Sequence, residues 1–310
     1  MSSNNSSTNI HSSAHLEIIQ NLEVINIVIR SLEATSITIT NLVVILLYIR
    51  MKKKCSSIAN YLIFSQSLTD LFVGLMTCIQ VCMQIPSVKE SYHLHLMLIM
   101  YTGMLEYSLI LTIGSLFLAS FERYLCITKP IFHKQCMTKR KIILGSCIVW
   151  ILSLIPPLTL ISLMDFHFTN TENVAVTIYS CVFDIVILIL IGIVVLLLAL
   201  SLKVSKRSCD RHSERCRSLD KKQAAAKRTT RLVTIFMCMI VAYAVTFLPF
   251  AGTRLMYDVG MLEGLSHADY IIVFIVCNTF YKSSSLFNPL LSISMKKDFR
   301  NMFATTFRHS

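Results

Sequence analysis

The chain has 310 residues, of which 54% are hydrophobic and only 15% are charged, with a net charge of +12. A soluble domain is about one-quarter charged, so this composition excludes an ordinary water-soluble globular protein and predicts that a bilayer covers much of the surface. Membrane topology accounts for the excess of cations, which therefore does not predict nucleic-acid binding.

Seven apolar runs are long enough to cross a bilayer, which takes about 20 helical residues. In chain order they lie at residues 25–50, 58–85, 93–127, 141–164, 180–204, 228–255 and 268–294. The first run contains Arg30 and Glu33, whose spacing of three residues allows an ion pair on one helix face. The sequence shows no internal repeat and no alternation of strands with helices. It thus predicts an all-α membrane protein, a seven-transmembrane helix bundle over residues 25–294.

Basic residues between the spans predict the orientation of the bundle. Most of the 29 Lys and Arg residues lie in segments 50–57, 123–141, 203–231 and 296–310. Because loops rich in Lys and Arg stay in the cytoplasm, we expect an extracellular tail over residues 1–24 and a cytoplasmic segment over 295–310, as in a plasma-membrane protein. The tail has no signal-peptide pattern and offers overlapping glycosylation sequons at Asn4 and Asn5.

Single residues within the spans carry a resemblance to a known family. They are, in chain order, Asn41, Asp70, Glu122, Arg123, Tyr124, Trp150, Pro249, Asn288 and Pro289. Their order and spacing resemble those of the rhodopsin-like (class A) G-protein-coupled receptors over nearly the full chain. The resemblance implies a receptor that transmits a signal from an extracellular or intramembrane ligand to a heterotrimeric G protein. The sequence shows no repeats or broken helices that would indicate a transporter. It also shows no nucleophile–base set that would indicate an enzyme.

The resemblance also implies roles for these residues. Arg123 would be held inactive by the adjacent Glu122 and released to meet the G protein, while Pro249 would bend the sixth span into a moving lever. The full set of coupling and switch residues would be Glu122, Arg123, Tyr124, Pro249, Asn288 and Pro289.

Asp70 is an intramembrane carboxylate and therefore a candidate functional group. By the family pattern its neighbours would supply oxygen ligands for a sodium ion. The alternative is a hydrogen-bonded polar cluster without sodium. The residues of this site would be Asp70, Thr112, Ser284, Ser285 and Asn288.

Residues after the seventh span predict a short eighth helix. Three phenylalanines recur every four residues and three cations fall opposite them, at Phe299, Phe303 and Phe307 and at Lys296, Lys297 and Arg300. This pattern is typical of an amphipathic helix that lies on the membrane surface.

The chain departs from the family pattern at three informative positions. Leu98 stands where the family has the third-span cysteine of its extracellular disulfide, so Cys181 lacks its usual partner and we expect no disulfide. Phe247 replaces the tryptophan of the sixth span, and Ser292 replaces the tyrosine of the seventh. We therefore expect the switches of activation to differ from those of the family.

Lys282 lies where opsins carry the lysine that binds retinal. Three interpretations stay open: a Schiff base with retinal, a cation paired with Glu106 or with a ligand carboxylate, and a purely structural cation. Because Glu106 is the only acid in the middle of the third span, we expect it within reach of Lys282.

The expected ligand pocket surrounds these two residues. It would be lined by Tyr101, Leu105, Glu106, Phe247, Phe250, Asn278 and Lys282. The ligand stays open among a small molecule, a peptide and retinal. Retinal and a sodium ion are the candidate cofactors, and membrane lipids surround the bundle.

Overall fold

The structure is a computed structural model that describes residues 4–51, 58–84, 94–167, 174–213, 220–262 and 264–307. Within these ranges, all regular secondary structure is helical. The helices are α1 (Asn4–Met51), α2 (Ile58–Met83), α3 (Leu94–Thr128), α4 (Pro130–Cys136), α5 (Lys139–Leu152), α6 (Ile155–His167), α7 (Val174–Ser213), α8 (Asp220–Asp258), α9 (His267–Lys282), α10 (Ser284–Met295) and α11 (Lys297–Phe307).

Seven stretches of the described chain are long and apolar enough to cross a membrane, which confirms the predicted bundle. They are Gln20–Arg50, Ile58–Met83, Thr102–Thr128, Lys139–Leu163, Ala175–Val204, Val233–Tyr257 and Ala268–Met295. Large apolar side chains face outward along these spans, and Leu32, Ile151 and Val276 are at least 60% exposed. Because such side chains avoid water, this outer surface fits a multi-pass membrane protein.

The first helix is longer than the predicted span, because it begins at Asn4 and not near residue 25. No glycine or proline occurs between Met1 and Met51, so nothing in the local sequence stops the helix. The predicted tail over residues 1–24 therefore contains helix from Asn4 onward.

Proline divides the fourth span, which the sequence predicted as one helix over 141–164. Pro156 and Pro157 lack the backbone N–H that a helix interior needs, and α5 ends at Leu152 before α6 begins at Ile155. The fourth span is therefore two helices.

A proline in the seventh span, Pro289, accounts for a contact between this span and the first. Pro289 has no N–H to donate to the carbonyl oxygen of Ser285, four residues earlier. The buried Nδ2 of Asn41 donates to that oxygen at 3.1 Å and to the carbonyl oxygen of Ile37 at 3.0 Å. Asn41 thus ties α1 to α10 at the point where the proline leaves an oxygen without its helical partner.

The predicted eighth helix is present as α11, but one of its cations is not on the opposite face. Phe299 is completely buried, whereas Arg300 is exposed. Lys296 is also buried, and its Nζ lies 5.4 Å from the centre of the Phe299 ring in a cation–π contact. The prediction for Lys296 is therefore wrong. The side chains of Lys297 and Phe307 lie outside the described residues.

The apolar core of the bundle lies between α3, α7 and α8. Leu109, Ile187, Val194, Phe236 and Ile240 are at most 2% exposed and belong to one packed cluster. Close packing of this kind fixes the rotation of each helix and, with it, the direction of its polar side chains.

Gly74 lets α1 and α2 approach each other closely. A Cβ atom at this position would lie 2.7 Å from Oγ1 of Thr38 and 3.2 Å from its backbone nitrogen. At Gly192 in α7, by contrast, the corresponding point has no neighbouring atom within 4 Å. Of these two glycines, only Gly74 is therefore required by packing.

We expect Gly74→Ala to lower the free energy of unfolding by about 1–3 kcal/mol, because the backbone of α1 must move to admit the methyl group. Gly192→Ala is the matched control and should be neutral or slightly stabilising, since alanine has the higher helix propensity. Thermal unfolding of the purified protein measures both variants. Equal unfolding midpoints would contradict the close contact at Gly74.

Candidate functional site

The predicted Glu122–Arg123 pair forms near the end of α3. Glu122 is completely buried and Arg123 is 5% exposed, and Nε of Arg123 makes a salt bridge with Oε2 of Glu122. The other carboxylate oxygen, Oε1, accepts a hydrogen bond from Nε2 of His133 in α4 at 2.9 Å. Because a carboxylate only accepts, His133 carries a proton on Nε2. Glu122 is thus held by two basic side chains.

His133 was not predicted from the sequence, because α4 was not predicted. A signal for this helix was available, since Pro130 is its first residue and proline is favoured at that position. Tyr124, the third residue of the predicted motif, is half-buried at the same end of α3.

Asp70 is completely buried in α2 and makes contact with α10. Its Oδ1 accepts a hydrogen bond from Oγ of Ser285 at 3.0 Å, and its Oδ2 accepts one from Nδ2 of Asn288 at 2.8 Å. Nε2 of Gln66 lies 3.5 Å from the same Oδ2. The structure therefore brings Asp70 together with two of the predicted sodium ligands.

The other two predicted ligands, Thr112 and Ser284, are buried, but neither is among the described hydrogen-bond partners of Asp70. Carboxylate and hydroxyl oxygens suit a hard cation, so Asp70 and Ser285 would hold a sodium ion. The amide N–H groups of Asn288 and Gln66 stabilise the carboxylate without one. Both alternatives from the sequence therefore fit this cluster.

Lys282 is the last residue of α9 and is 4% exposed. Its Nζ donates to Oε1 of Gln80 at 2.7 Å and to Oγ1 of Thr77 at 3.2 Å. These two acceptors lie three residues apart on one face of α2, and both are neutral.

Two charged residues of α1, Arg30 and Glu33, interact electrostatically with Lys282. Arg30 and Glu33 form the ion pair predicted from their spacing, with 3.0 Å between Nη1 and Oε2, and both are buried. Asn26 links this pair to Gln84 at the end of α2 through hydrogen bonds of 3.3 Å. The charges of Arg30 and Glu33 both act on Lys282. We call Lys282, Thr77, Gln80, Arg30 and Glu33 the Lys282 cluster.

Glu106 lies in a different cluster. Its Oε1 accepts a hydrogen bond from Nη2 of Arg254 at 2.9 Å, and its Oε2 accepts one from the hydroxyl of Tyr179 at 3.0 Å. Arg254 also lies 3.8 Å from the carboxylate of Asp184 and donates to Ser180 at 3.2 Å. We call Glu106, Arg254, Tyr179 and Asp184 the Glu106 cluster.

The predicted pairing of Lys282 with Glu106 is therefore wrong. Each side chain is hydrogen-bonded to other groups, and Glu106 receives its positive partner from α8. The long side chain of Arg254 reaches inward from near the end of α8 to this carboxylate.

The other predicted pocket residues separate into two groups. Phe247 and Phe250 are buried in an aromatic cluster, with ring centres 5.9 Å and 5.1 Å from that of Tyr281. Asn278 is completely buried, and within the described chain its amide has no hydrogen-bond partner. The side chain of Tyr101 lies outside the described residues.

A crevice adjoins Lys282 between α2 and α3. Leu105 and Lys282 are the predicted pocket residues that line it. Its other walls are mainly apolar, and its lining residue Ile79 is 38% exposed on the outer surface of the bundle. The crevice therefore lies beside a buried cation, and one of its lining residues reaches the outer surface of the bundle.

Disulfides and metal clusters are absent from the described part of the chain. The eight cysteines whose side chains are described are not joined to one another. No group of three His, Cys, Asp or Glu side chains in the described residues is arranged to hold a metal ion. The side chain of Leu98, which replaces the family cysteine, is not described.

Comparison with known proteins agrees with this architecture. The sequence matches the family "7 transmembrane receptor (rhodopsin family)" over residues 40–291. The chain therefore belongs to the rhodopsin family of seven-transmembrane receptors, whose members are receptors and not enzymes.

Its relatives include cannabinoid receptors and a rhodopsin. It is 21% identical to cannabinoid receptor 1 of Xenopus laevis over 63% of this chain and 45% of that protein. It is 23% identical to cannabinoid receptor type 1B of Takifugu rubripes over 62% and 44%, and 28% identical to rhodopsin of Tetraodon nigroviridis over 62% and 55%. The chain spans about half the length of these relatives.

The two charged clusters predict opposite results in double-mutant cycles. Arg254→Met leaves the buried Glu106 carboxylate without its ion pair, which should cost several kcal/mol of the free energy of unfolding. Adding Glu106→Gln should recover at least about 1 kcal/mol of that loss. Lys282→Met and Glu106→Gln should be additive within about 0.5 kcal/mol, because no contact joins them. Thermal unfolding provides the measurement. The structure would be contradicted if Glu106 were coupled to Lys282 and not to Arg254.

Proposed function

We propose that this protein is a G-protein-coupled receptor that transmits a ligand signal to a heterotrimeric G protein through Arg123. The observation that carries the proposal is the neutralised arginine at the end of α3, where Glu122 pairs with Arg123 and is itself held by His133. While Glu122 is paired with Arg123, the guanidinium group is not free to contact the G protein. It becomes available only when this ion pair breaks. The family assignment supports this form of coupling.

The orientation follows from the same proposal. The Glu122–Arg123 end of the bundle faces the cytoplasm, with the loops rich in Lys and Arg, and residues 1–24 face the outside of a plasma membrane. Asn4 and Asn5 would then be open to glycosylation in the extracellular tail. Their side chains lie outside the described residues.

Helix α8 is the moving element of the proposed receptor. Pro249 lies inside this helix and cannot donate to the carbonyl oxygen of Val245, so the helix bends most easily there. Phe247, two residues before Pro249, lies 5.8 Å from the ring of Tyr243 and stands in place of the tryptophan of the family. Ser292 donates to the carbonyl of Asn288 at 2.8 Å and is thus satisfied within its own helix.

Sodium binding remains part of the proposal. Asp70 and Ser285 would hold the ion, and Asn288 would stabilise the carboxylate from the same helix as Ser285. An ion there would link α2 to α10 in the inactive state.

A retinal-binding opsin is the second candidate function. It is supported by the position of Lys282 and by the 28% identity to a rhodopsin. The residues around Lys282 do not fit a protonated Schiff base, because the two nearest candidate counterions are already paired. Glu106 is held by Arg254, and Glu33 is held by Arg30. We therefore favour a ligand that binds Lys282 without a covalent bond.

Arg123→Ala should abolish ligand-stimulated and basal guanine-nucleotide exchange on the G protein, because it removes the cationic contact. Surface expression should be largely unchanged. Arg140→Ala is the matched control, since Arg140 is an exposed arginine in the neighbouring α5. Exchange assays in membranes, with expression measured in parallel, test the proposal, which fails if Arg123→Ala retains full exchange.

Incubation with 11-cis-retinal in the dark should produce no visible pigment band, because Glu33 and Glu106, the candidate counterions in the described chain, are each already paired with an arginine. The spectrum of Lys282→Met is the control and should match that of the unchanged protein. A visible band that is present in the unchanged protein and absent in Lys282→Met would establish the opsin instead.

A further inference from the structure

We propose that Lys282 binds the carboxylate of a long-chain fatty acid, which enters the crevice between α2 and α3 from the bilayer. The crevice would be the ligand site of the receptor proposed above, so the inference rests on that function. Three features of the structure carry it: the partners of Lys282, the charge of its cluster and the lining of the crevice.

The hydrogen-bond partners of Lys282 are the first feature. The ammonium group is buried and donates only to the neutral oxygens of Gln80 and Thr77 among the described residues. An ammonium group has three donors. A cation in this environment is costly unless an anion compensates it, so a carboxylate from a ligand would be strongly favoured.

The charge balance of the Lys282 cluster is the second feature. With Lys282 protonated, Arg30 and Lys282 are cations and Glu33 is the anion, so the cluster then has an excess of one positive charge. A monoanion neutralises this excess. A phosphate monoester, with nearly two negative charges at neutral pH, would leave an excess of negative charge in the buried site. The balance therefore favours a carboxylate head.

The lining of the crevice is the third feature. Beyond Lys282 its walls are Met76, Ile79 and Met83 of α2 and Met104 and Leu105 of α3. These side chains form an apolar path that adapts to a flexible chain, because methionine is unbranched and changes shape easily.

The opening of this path lies on the lipid-facing surface. Ile79 is 38% exposed, and Leu75, one turn earlier on α2, is 47% exposed. A ligand with an apolar tail therefore reaches Lys282 without crossing water.

The test is ligand binding by the purified full-length receptor in phosphatidylcholine nanodiscs. Palmitate should raise the unfolding temperature saturably. Hexadecanol and methyl palmitate have the same chain with a neutral head and should have no comparable effect. Hexadecyl phosphate tests whether a phosphate head binds better than a carboxylate head. Nanodiscs that contain phosphatidylserine test a carboxylate on a lipid with two chains. Butyrate tests whether the long tail is needed.

Two variants locate the site. Lys282→Met should weaken palmitate binding about tenfold or more, as expected for the loss of a charge-assisted hydrogen bond. Ile79→Trp keeps the lysine but fills the opening, and it should also weaken binding. This variant provides the test if Lys282→Met does not fold. Lys296→Met is the matched control, because Lys296 is another buried lysine, just beyond the end of the same span, and this variant should bind palmitate normally.

The outcomes separate this site from the proposed function. Equal stabilisation by palmitate and hexadecanol, or unchanged palmitate binding in both Lys282→Met and Ile79→Trp, would overturn the fatty-acid site. Stronger binding of hexadecyl phosphate or of phosphatidylserine would overturn it as well. If palmitate binds as expected and nucleotide exchange is never observed, the site stands and the receptor function fails. If exchange is observed and palmitate does not bind, the receptor stands and the site fails.

Discussion

A charged side chain inside a bilayer must find its partners within the protein, and the arrangement of the seven spans depends on this constraint. Leaving a charge at the centre of a membrane helix costs about 2.5–3.5 kcal/mol on insertion scales. In the described chain Arg30 pairs with Glu33, Glu106 pairs with Arg254, and Asp70 accepts hydrogen bonds from α10. Each of these contacts satisfies a charge, and those of Glu106 and Asp70 also bring two helices together.

These contacts connect the spans in a definite pattern. Lys282 joins the seventh span to the second through Gln80, and Arg254 joins the sixth span to the third through Glu106. Tyr179 brings in the fifth span, because its hydroxyl also reaches Glu106. The sixth span is therefore held on one side of Pro249, where Arg254 lies, and our proposed movement takes place on the other side.

The sequence was sufficient for features that depend on neighbouring residues of one helix. Seven apolar runs predicted the spans, and a spacing of three residues predicted the Arg30–Glu33 pair, because a helix places such residues on one face. The contact of Asp70 with Asn288 followed from the family pattern. These predictions required only helical periodicity or an established resemblance.

Features that depend on the rotation of one helix against another were not predictable in the same way. Glu106 and Lys282 are both buried polar residues, and composition does not reveal that Arg254 and Gln80 are their nearest partners. His133 was missed because it lies in a helix of only seven residues, too short for a periodic pattern. Packing of large side chains against small ones, as at Gly74, decides these rotations.

The central claim is that Lys282 and Glu106 belong to separate clusters, and side-chain-resolution cryo-electron microscopy of the receptor in nanodiscs tests it most directly. Our account predicts density that joins the guanidinium of Arg254 to the carboxylate of Glu106, and the ammonium of Lys282 to the side chain of Gln80. Continuous density between Lys282 and Glu106, with Arg254 turned away from both, would contradict it.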